Sequence, residues 1–263
     1  MSLPLPRCTR LPLRFDVAAL QAAVRALPAD AWEPHFNRGY YVGDWSGVAL
    51  RAPRGAHLAL APGEGDGCDT PLCDTFWRAQ LAQLQTPLRS ARLLRLGPGG
   101  CIREHCDHDL GHPDSDRRLH VPIVTDEGVD FLLDGARVPM RPGECWFLDL
   151  ARPHRVENHG GTVRVHLVVD ARPSPWLDAQ LAAGASDTPP CAPSRGSAAF
   201  AAFRDRVHAD PALERALMAH GDAAGFVAAV LAQAAALGLH FSAEEVDAAM
   251  AQGRRAWKAQ RLA

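Results

Sequence analysis

Two segments of the chain, 94–126 and 143–170, hold two histidines, one carboxylate and several arginines in an arrangement that suits a redox metal. The first carries His105-Cys106-Asp107 after the turn Gly97-Pro98-Gly99-Gly100. The second carries Gly143-Glu144-Cys145-Trp146, then His154, then Arg164. An extended backbone is expected beside the apolar run at 105–107, and residues i and i+2 of a strand face the same side. An imidazole and a carboxylate would then sit together, with Cys106 turned away. A third ligand from a distant strand would complete a two-His-one-carboxylate facial triad, which leaves metal positions open for cosubstrate and oxygen. His154, beyond the strand-like stretch 145–150 and a short Arg-Pro turn, is the candidate for that place.

The His-x-Asp spacing carries little weight alone. With 12 histidines the chain contains it four times, at His105/Asp107, His112/Asp114, His208/Asp210 and His220/Asp222. His112 and Asp114 flank Pro113 in a turn, and the last two pairs sit at the ends of Ala-rich helical segments. Only the first pair has a suitable partner downstream. Arg164 follows His154 by ten residues, a spacing that suits a neighbouring antiparallel strand. A guanidinium holds a carboxylate by two parallel charge-assisted hydrogen bonds, the geometry that anchors the far end of 2-oxoglutarate. Arg118 and His120, i and i+2 on the strand expected at 118–124, offer a second polar contact. Taken alone, they are more readily read as a surface arginine and a satisfied core histidine.

These motifs in order are Leu94-Arg95-Leu96-Gly97-Pro98-Gly99, His105-x-Asp107, Arg118-x-His120-x-Pro122-Ile123, Gly143-Glu144-x-Trp146, His154-x-x-x-Asn158 and Arg164-x-His166-Leu167-Val168-x-Asp170. The set resembles the aspartyl/asparaginyl β-hydroxylase family over about residues 10–172. The upstream Pro34-His35-Phe36-Asn37 and the stretch 41–51 are similar to its bacterial branch, which includes free-proline cis-hydroxylases. The resemblance implies a double-stranded β-helix (a jelly roll, cupin-like) with Fe(II), 2-oxoglutarate and O2. It places His105, Asp107 and His154 at the iron-ligand positions, Arg164 at the far-carboxylate anchor, and Arg118 with His120 in a further cosubstrate-binding element. Animal members lack the carboxylate ligand that Asp107 supplies, so their substrate, Asp or Asn in growth-factor-like domains, does not transfer. A retained carboxylate favours hydroxylation over halide chemistry.

The elements that must position these residues follow from patterning. Asp16 is an N-cap for a helix over 16–27, with Pro28 beyond it, and a second helix is expected near 73–84, where Phe76, Trp77 and Leu81 to Leu84 would cover a sheet. From about 90 to 170, short apolar runs alternate with Gly, Pro, Asp and Asn turns, which argues for antiparallel strands, with a hairpin at Leu133-Asp134-Gly135-Ala136. The fold class is mainly β with flanking helices, plus a small C-terminal all-α domain. The organisation expected is a hydroxylase domain over 1–183, a Pro- and Ser-rich linker over 184–196, and a helical domain over 197–263.

In that last part Phe200, Phe203 and Val207 form a stripe, and Asp210-Pro211 starts another helix. Phe226, Val230 and Leu237 continue the pattern. Ser242 with Glu245 makes a capping box before Val246, Met250 and Trp257. Residues 197–250 resemble the Nif11 domain, which implies a peptide-tailoring setting; packing or homodimerisation is the plainer role.

A net charge of −2 gives no electrostatic case for nucleic acid. Seven unevenly spaced cysteines fit reduced thiols and a cytoplasmic location. Arg7, Arg10 and Arg14 interrupt any signal-like apolar run, and no span fits a membrane. Three functions are consistent with these features: hydroxylation of a free amino acid or amino-acid residue, tailoring of a peptide precursor, and a non-catalytic metal-stabilised jelly roll. A free amino acid would need a cation and an acceptor, for which Arg92, Arg95, Arg117, Asp109 and Glu104 are available. His35, Tyr40 and Trp45 are available as walls.

Overall fold

A computed structural model describes residues 5–243 except 57, 59, 62 and 64, together with 245, 246 and 250. The chain divides into two compact units, 1–192 and 193–263. In chain order the first unit runs β1 (Cys8–Arg14), α1 (Val17–Ala26), β2 (Glu33–Pro34), β3 (Tyr41–Val42), β4 (Trp45–Pro53), β5 (Gly67–Asp69) and α2 (Thr75–Leu81). It continues with β6 (Leu88–Leu96), β7 (Cys101–His105), β8 (Arg117–Val124), β9 (Val129–Leu133) and β10 (Ala136–Arg137). The last elements are β11 (Glu144–Leu148), β12 (His154–Asn158), β13 (Arg164–Ala171) and α3 (Pro175–Gly184).

The strands form two antiparallel sheets. One has the order β1-β11-β8-β13-β6-β4-β2 with β5 on β4, and the other contains the run β10-β9-β12-β7-β3. From β6 to β13 the chain passes from one sheet to the other at every step except the β9–β10 hairpin, which is jelly-roll topology. Period-two alternation then sorts the side chains. Leu93 of β6, Leu119, Val121 and Ile123 of β8, and Val165, Leu167 and Val169 of β13 share a core with Leu20 of α1, Trp77 and Leu81 of α2, and Leu177 of α3. The three helices therefore cover the outer face of the larger sheet. Its inner face, with Leu94, Leu96, Trp146 and Val168, meets Ile102, Phe131, Leu133 and Val156 of the smaller sheet. The intervening inner positions, Arg92, Arg118, His120, Arg164, His166 and Asp170, are polar, and all except Arg118 are buried. Polar residues on a sandwich's inner face mark a site.

The helix starts agree with the capping signals. Asp16 accepts from the Ala19 N–H at 3.1 Å and Asp74 from that of Trp77 at 3.0 Å. The hairpin forms with Asp134 at φ 51° and Gly135 at φ 72°, the paired positive angles of a type I′ turn, and Ala136 pairs with Leu133. The expected pairing of the His154 and Arg164 strands fails. Arg164 does not lie on a strand next to that of His154, because β12 pairs with β7 and β9 whereas β13 pairs with β6 and β8. The turn after Asn158 crosses the sandwich, and Asn158 Nδ2 fixes it by donating to the carbonyls of Leu96 (3.0 Å) and Thr162 (2.8 Å). His154 and Arg164 thus belong to opposing sheets.

Within the stretch whose composition suggests a linker, residues 184–188 are held on β1. The Arg10 N–H donates to Thr188 Oγ1 at 2.9 Å, and the Arg10 guanidinium donates to the Asp187 carbonyl at 2.6 Å. The second unit contains α4 (Arg195–Ala209), α5 (Pro211–Met218) and α6 (Ala223–Ala236) around Phe203, Leu217, Val230 and Ala234. Asp210 and Asp222, discounted as ligands, are the N-caps of α5 and α6. Ser242 and Glu245 exchange both capping-box bonds, at 3.0 and 3.2 Å. Leu237 departs from the expected stripe: α6 ends one residue earlier, so Leu237 is 45% exposed and Ala234 takes the core position. Trp257 lies outside the described residues. Among the described residues no helix is long and apolar enough to cross a membrane.

Candidate active site

β7 and β12 run side by side in the smaller sheet, and their register puts His154 opposite His105. The close approach of two glycines shapes this edge. Gly43, at φ 87°, has so little room that a Cβ there would come within 2.9 Å of the Gly100 Cα, just before β7. The ring centroids of His105 and His154 are 4.2 Å apart. Each Nδ1 faces a backbone carbonyl two residues upstream: Arg103 O at 2.7 Å for His105 and Arg152 O at 3.0 Å for His154. Those carbonyls fix the tautomer, with the proton on Nδ1 and Nε2 free to ligate. The two Nε2 atoms lie 3.6 and 4.0 Å from the carboxylate oxygens of Asp107, and the three residues can each offer an atom to one ion.

Asp107 reaches this position by a route the sequence did not suggest. The strand stops at His105, and the Asp107 N–H bonds instead to the Leu150 carbonyl at 2.8 Å. The chain turns there, so Cys106, expected to point away, also borders the cavity.

The cavity measures about 350 Å³, within the range of small-ligand sites. All three triad residues line it, together with Arg118, His120, Arg164, His35, Tyr40, Trp45, Arg92, Asp109 and Phe131. Of the polar residues open as substrate contacts, Arg92 and Asp109 reach it. Arg95 is bound to Ser46 and Asp44, and Arg117 to the carbonyls of Ser115 and Pro113. Glu104 is exposed on β7.

Arg164 is 2% exposed. Its guanidinium donates to His166 Nδ1 at 2.9 Å, its Nε is buried without a partner, and it sits 5.8 Å from the Phe131 ring centroid. Among the described residues no carboxylate pairs with it. Burial alone pushes it down to about 9 from 12.5. A buried cation without a counter-ion is costly, and an anion entering the cavity would offset that cost. His120 is likewise buried with both ring nitrogens unpartnered, and burial, then Arg164, keep it neutral.

Arg118 behaves differently from the expectation of a free cosubstrate contact. Its Nε and one terminal nitrogen donate to Asp170 at 2.6 and 3.2 Å, and the other donates to Asp107 Oδ2 at 2.5 Å. It therefore braces a triad carboxylate. Asp170 also accepts from Arg92 at 2.5 Å and Ser90 at 2.7 Å. Burial would raise the Asp170 carboxyl, but Arg118 and Arg92 overcome it and hold the group well below the usual carboxylate range. The sequence reading assigned no role to Asp170. The signal was its place on β13, six residues after Arg164 and on the same face, opposite Arg118 in register.

His35 stacks on Trp45, centroids 3.5 Å apart, and burial, then Arg92 and Arg118, lower it to about 4. It is a neutral wall.

The two-sheet fold and the convergent His, Asp and His define the class: a jelly roll in which three side chains could hold one metal ion. Over residues 71–173, the stretch that holds all six candidate residues, the chain matches the family described as aspartyl/asparaginyl beta-hydroxylase. An L-proline cis-4-hydroxylase of Rhizobium meliloti (strain 1021) is 32% identical over 164 residues, which take in 60% of this chain and 58% of the relative. The alignment thus spans little more than half the relative's length. Similar solved structures include a 2OG-Fe(II) oxygenase family oxidoreductase from Burkholderia pseudomallei (16% identity, 63% of this chain and 85% of that one, TM-score 0.42). A Pseudomonas putida prolyl-4-hydroxylase is also similar (15%, 64% and 93%, TM-score 0.42).

Proposed function

We propose that the chain is an Fe(II)- and 2-oxoglutarate-dependent hydroxylase of an amino acid, free such as proline or an Asp/Asn-type residue. The observation that carries the reading is a buried guanidinium with no carboxylate partner among the described residues, lining the same cavity as three convergent candidate ligands. A dicarboxylate that ligates metal at one end would place its other end on Arg164. When bound, Fe(II) and 2-oxoglutarate supply oxidising power, consuming O2, releasing succinate and carbon dioxide, and leaving one oxygen on a substrate C–H bond.

This chain's own residues supply the rest. His105 and His154 hold their protons on Nδ1 and turn Nε2 inward. Arg118 fixes the Asp107 carboxylate, so that little rotation is needed on ligation. Arg164 and His120 receive the cosubstrate's far carboxylate, while Phe131, Val168 and Leu94 exclude water around it. Asp109 borders the cavity and suits the ammonium of a free amino acid, whereas Arg92, also at the cavity, is already committed to Asp170 and the Leu60 carbonyl. The protein aims the C–H bond; orientation is its main contribution.

The test is anaerobic loading with Fe(II) and 2-oxoglutarate, then air, with free amino acids starting from L-proline and short peptides. Substrate-stimulated succinate and a product heavier by one oxygen are expected. Metal and 2-oxoglutarate binding with no succinate from any substrate would contradict the proposal.

A further inference from the structure

Cys8 opens β1 and Cys191 lies within Pro189-Pro190-Cys191-Ala192-Pro193, yet their sulfur atoms are only 3.7 Å apart. Both thiols are free and half-buried, at the margin of the inter-sheet core. Disulfide sulfurs sit about 2.05 Å apart, so bonding needs an approach of only about 1.7 Å. Both sides are held near that distance. Cys8 is in register with Leu148, and the Asp149 N–H bonds to the Arg7 carbonyl at 3.0 Å. The chain leading to Cys191 is tied to β1 through Thr188 and Arg10.

The pair also has the electrostatics of a reactive thiol. Their shared hydrogen bond and then the charge of Arg7 lower Cys191, while the same hydrogen bond raises Cys8. Elsewhere burial makes thiols inert: it pushes Cys145 up to about 12 and raises Cys73 and Cys101. Thiolate character and access decide which cysteines react.

We propose that Cys8 and Cys191 form a dithiol modification site that takes small-molecule disulfides and closes to an intramolecular disulfide. The Cys191 thiolate attacks one sulfur of the small disulfide; that S–S bond breaks, and one half leaves as a thiolate that gains a proton. Cys8 then gives up its proton, attacks Cys191 Sγ and expels the second half as a thiol. Two protein thiols are oxidised by two electrons, and one small disulfide is reduced to two thiols. The new bond would tie the end of the β unit to its first strand. This chemistry is independent of the proposed oxygenase activity.

The experiment exposes the reduced full chain to oxidised glutathione, then alkylates, denatures and digests it. Free thiols should fall from seven to five (7 − 2), with a reducible Cys8–Cys191 cross-linked peptide. Cys8→Ser should stop at a glutathione adduct on Cys191, and Cys191→Ser should leave Cys8 unmodified. Recovery of Cys8 and Cys191 as alkylated thiols, pairing among other cysteines, or a lasting glutathione adduct on the unsubstituted chain would overturn the proposal.

Discussion

Arg164 and Asp170 stand six residues apart on one face of β13 and carry opposite logic. Arg164 is a buried cation with no carboxylate partner among the described residues, and in the proposed function it receives the far carboxylate of 2-oxoglutarate. Its replacement by alanine should raise the KM for 2-oxoglutarate by about 10- to 100-fold, the range for losing a charge-assisted hydrogen bond, and succinate assays across cosubstrate concentration would read it. Arg164→Lys should recover only part, since an ammonium lacks the planar fork. Asp170 is an anion already shared by two guanidinium groups and one hydroxyl. Asp170→Asn leaves Arg92 and Arg118 buried against a neutral group, and should cost roughly 3–5 kcal/mol in urea unfolding of the metal-free protein. If the substitution proved neutral in stability, the charge network described here would be wrong.

At the scale of elements, the site depends on the edge where β3, β7 and β12 meet. Gly43→Ala adds a Cβ that meets Gly100, and it forces a residue with a side chain into φ near 87°. A loss of roughly 1–3 kcal/mol is expected, read as a lower melting temperature. Much of this layer was legible in the chain. Caps at Asp16 and Asp210, the hairpin at Asp134-Gly135 and the alternation in β8 and β13 are local signals, and local rules decide them. Which sheet a strand joins is not local. The chain from His154 to Arg164 reads as a hairpin because ten residues suffice for one, whereas Asn158 and its two carbonyl partners turn the chain across the sandwich. The end of β7 escaped for the same reason: a distant carbonyl, that of Leu150, takes the Asp107 N–H. The six candidate residues were recognisable by type and order, but Asp170 emerges only when register sets it opposite Arg118.

At the scale of the whole molecule, the β unit folds around charged and polar groups that need specific protonation states. His120 and His166 are fully buried and kept neutral, first by burial and then by Arg164. Above pH 7 both rings are neutral whether the chain is folded or not. As pH falls through 6.5, the unfolded chain takes up protons that the folded chain refuses, so stability falls. Each ring should contribute about 1.4 kcal/mol per pH unit below that point, until carboxylates begin to titrate, and denaturant titrations from pH 8 to 5 would measure the slope. A flat profile would mean that these rings are protonated or hydrated in solution. The claim on which the rest depends is that one metal position is shared by His105, Asp107, His154 and the dicarboxylate held at Arg164. The most direct measurement is anaerobic titration of the Fe(II)-loaded protein with 2-oxoglutarate, followed by the visible charge-transfer absorption of the keto acid chelated to iron. One equivalent should develop the band in the native chain, with His154→Ala giving none and Arg164→Ala requiring far more cosubstrate. No band in the native chain, or equal titrations in all three proteins, would contradict the account.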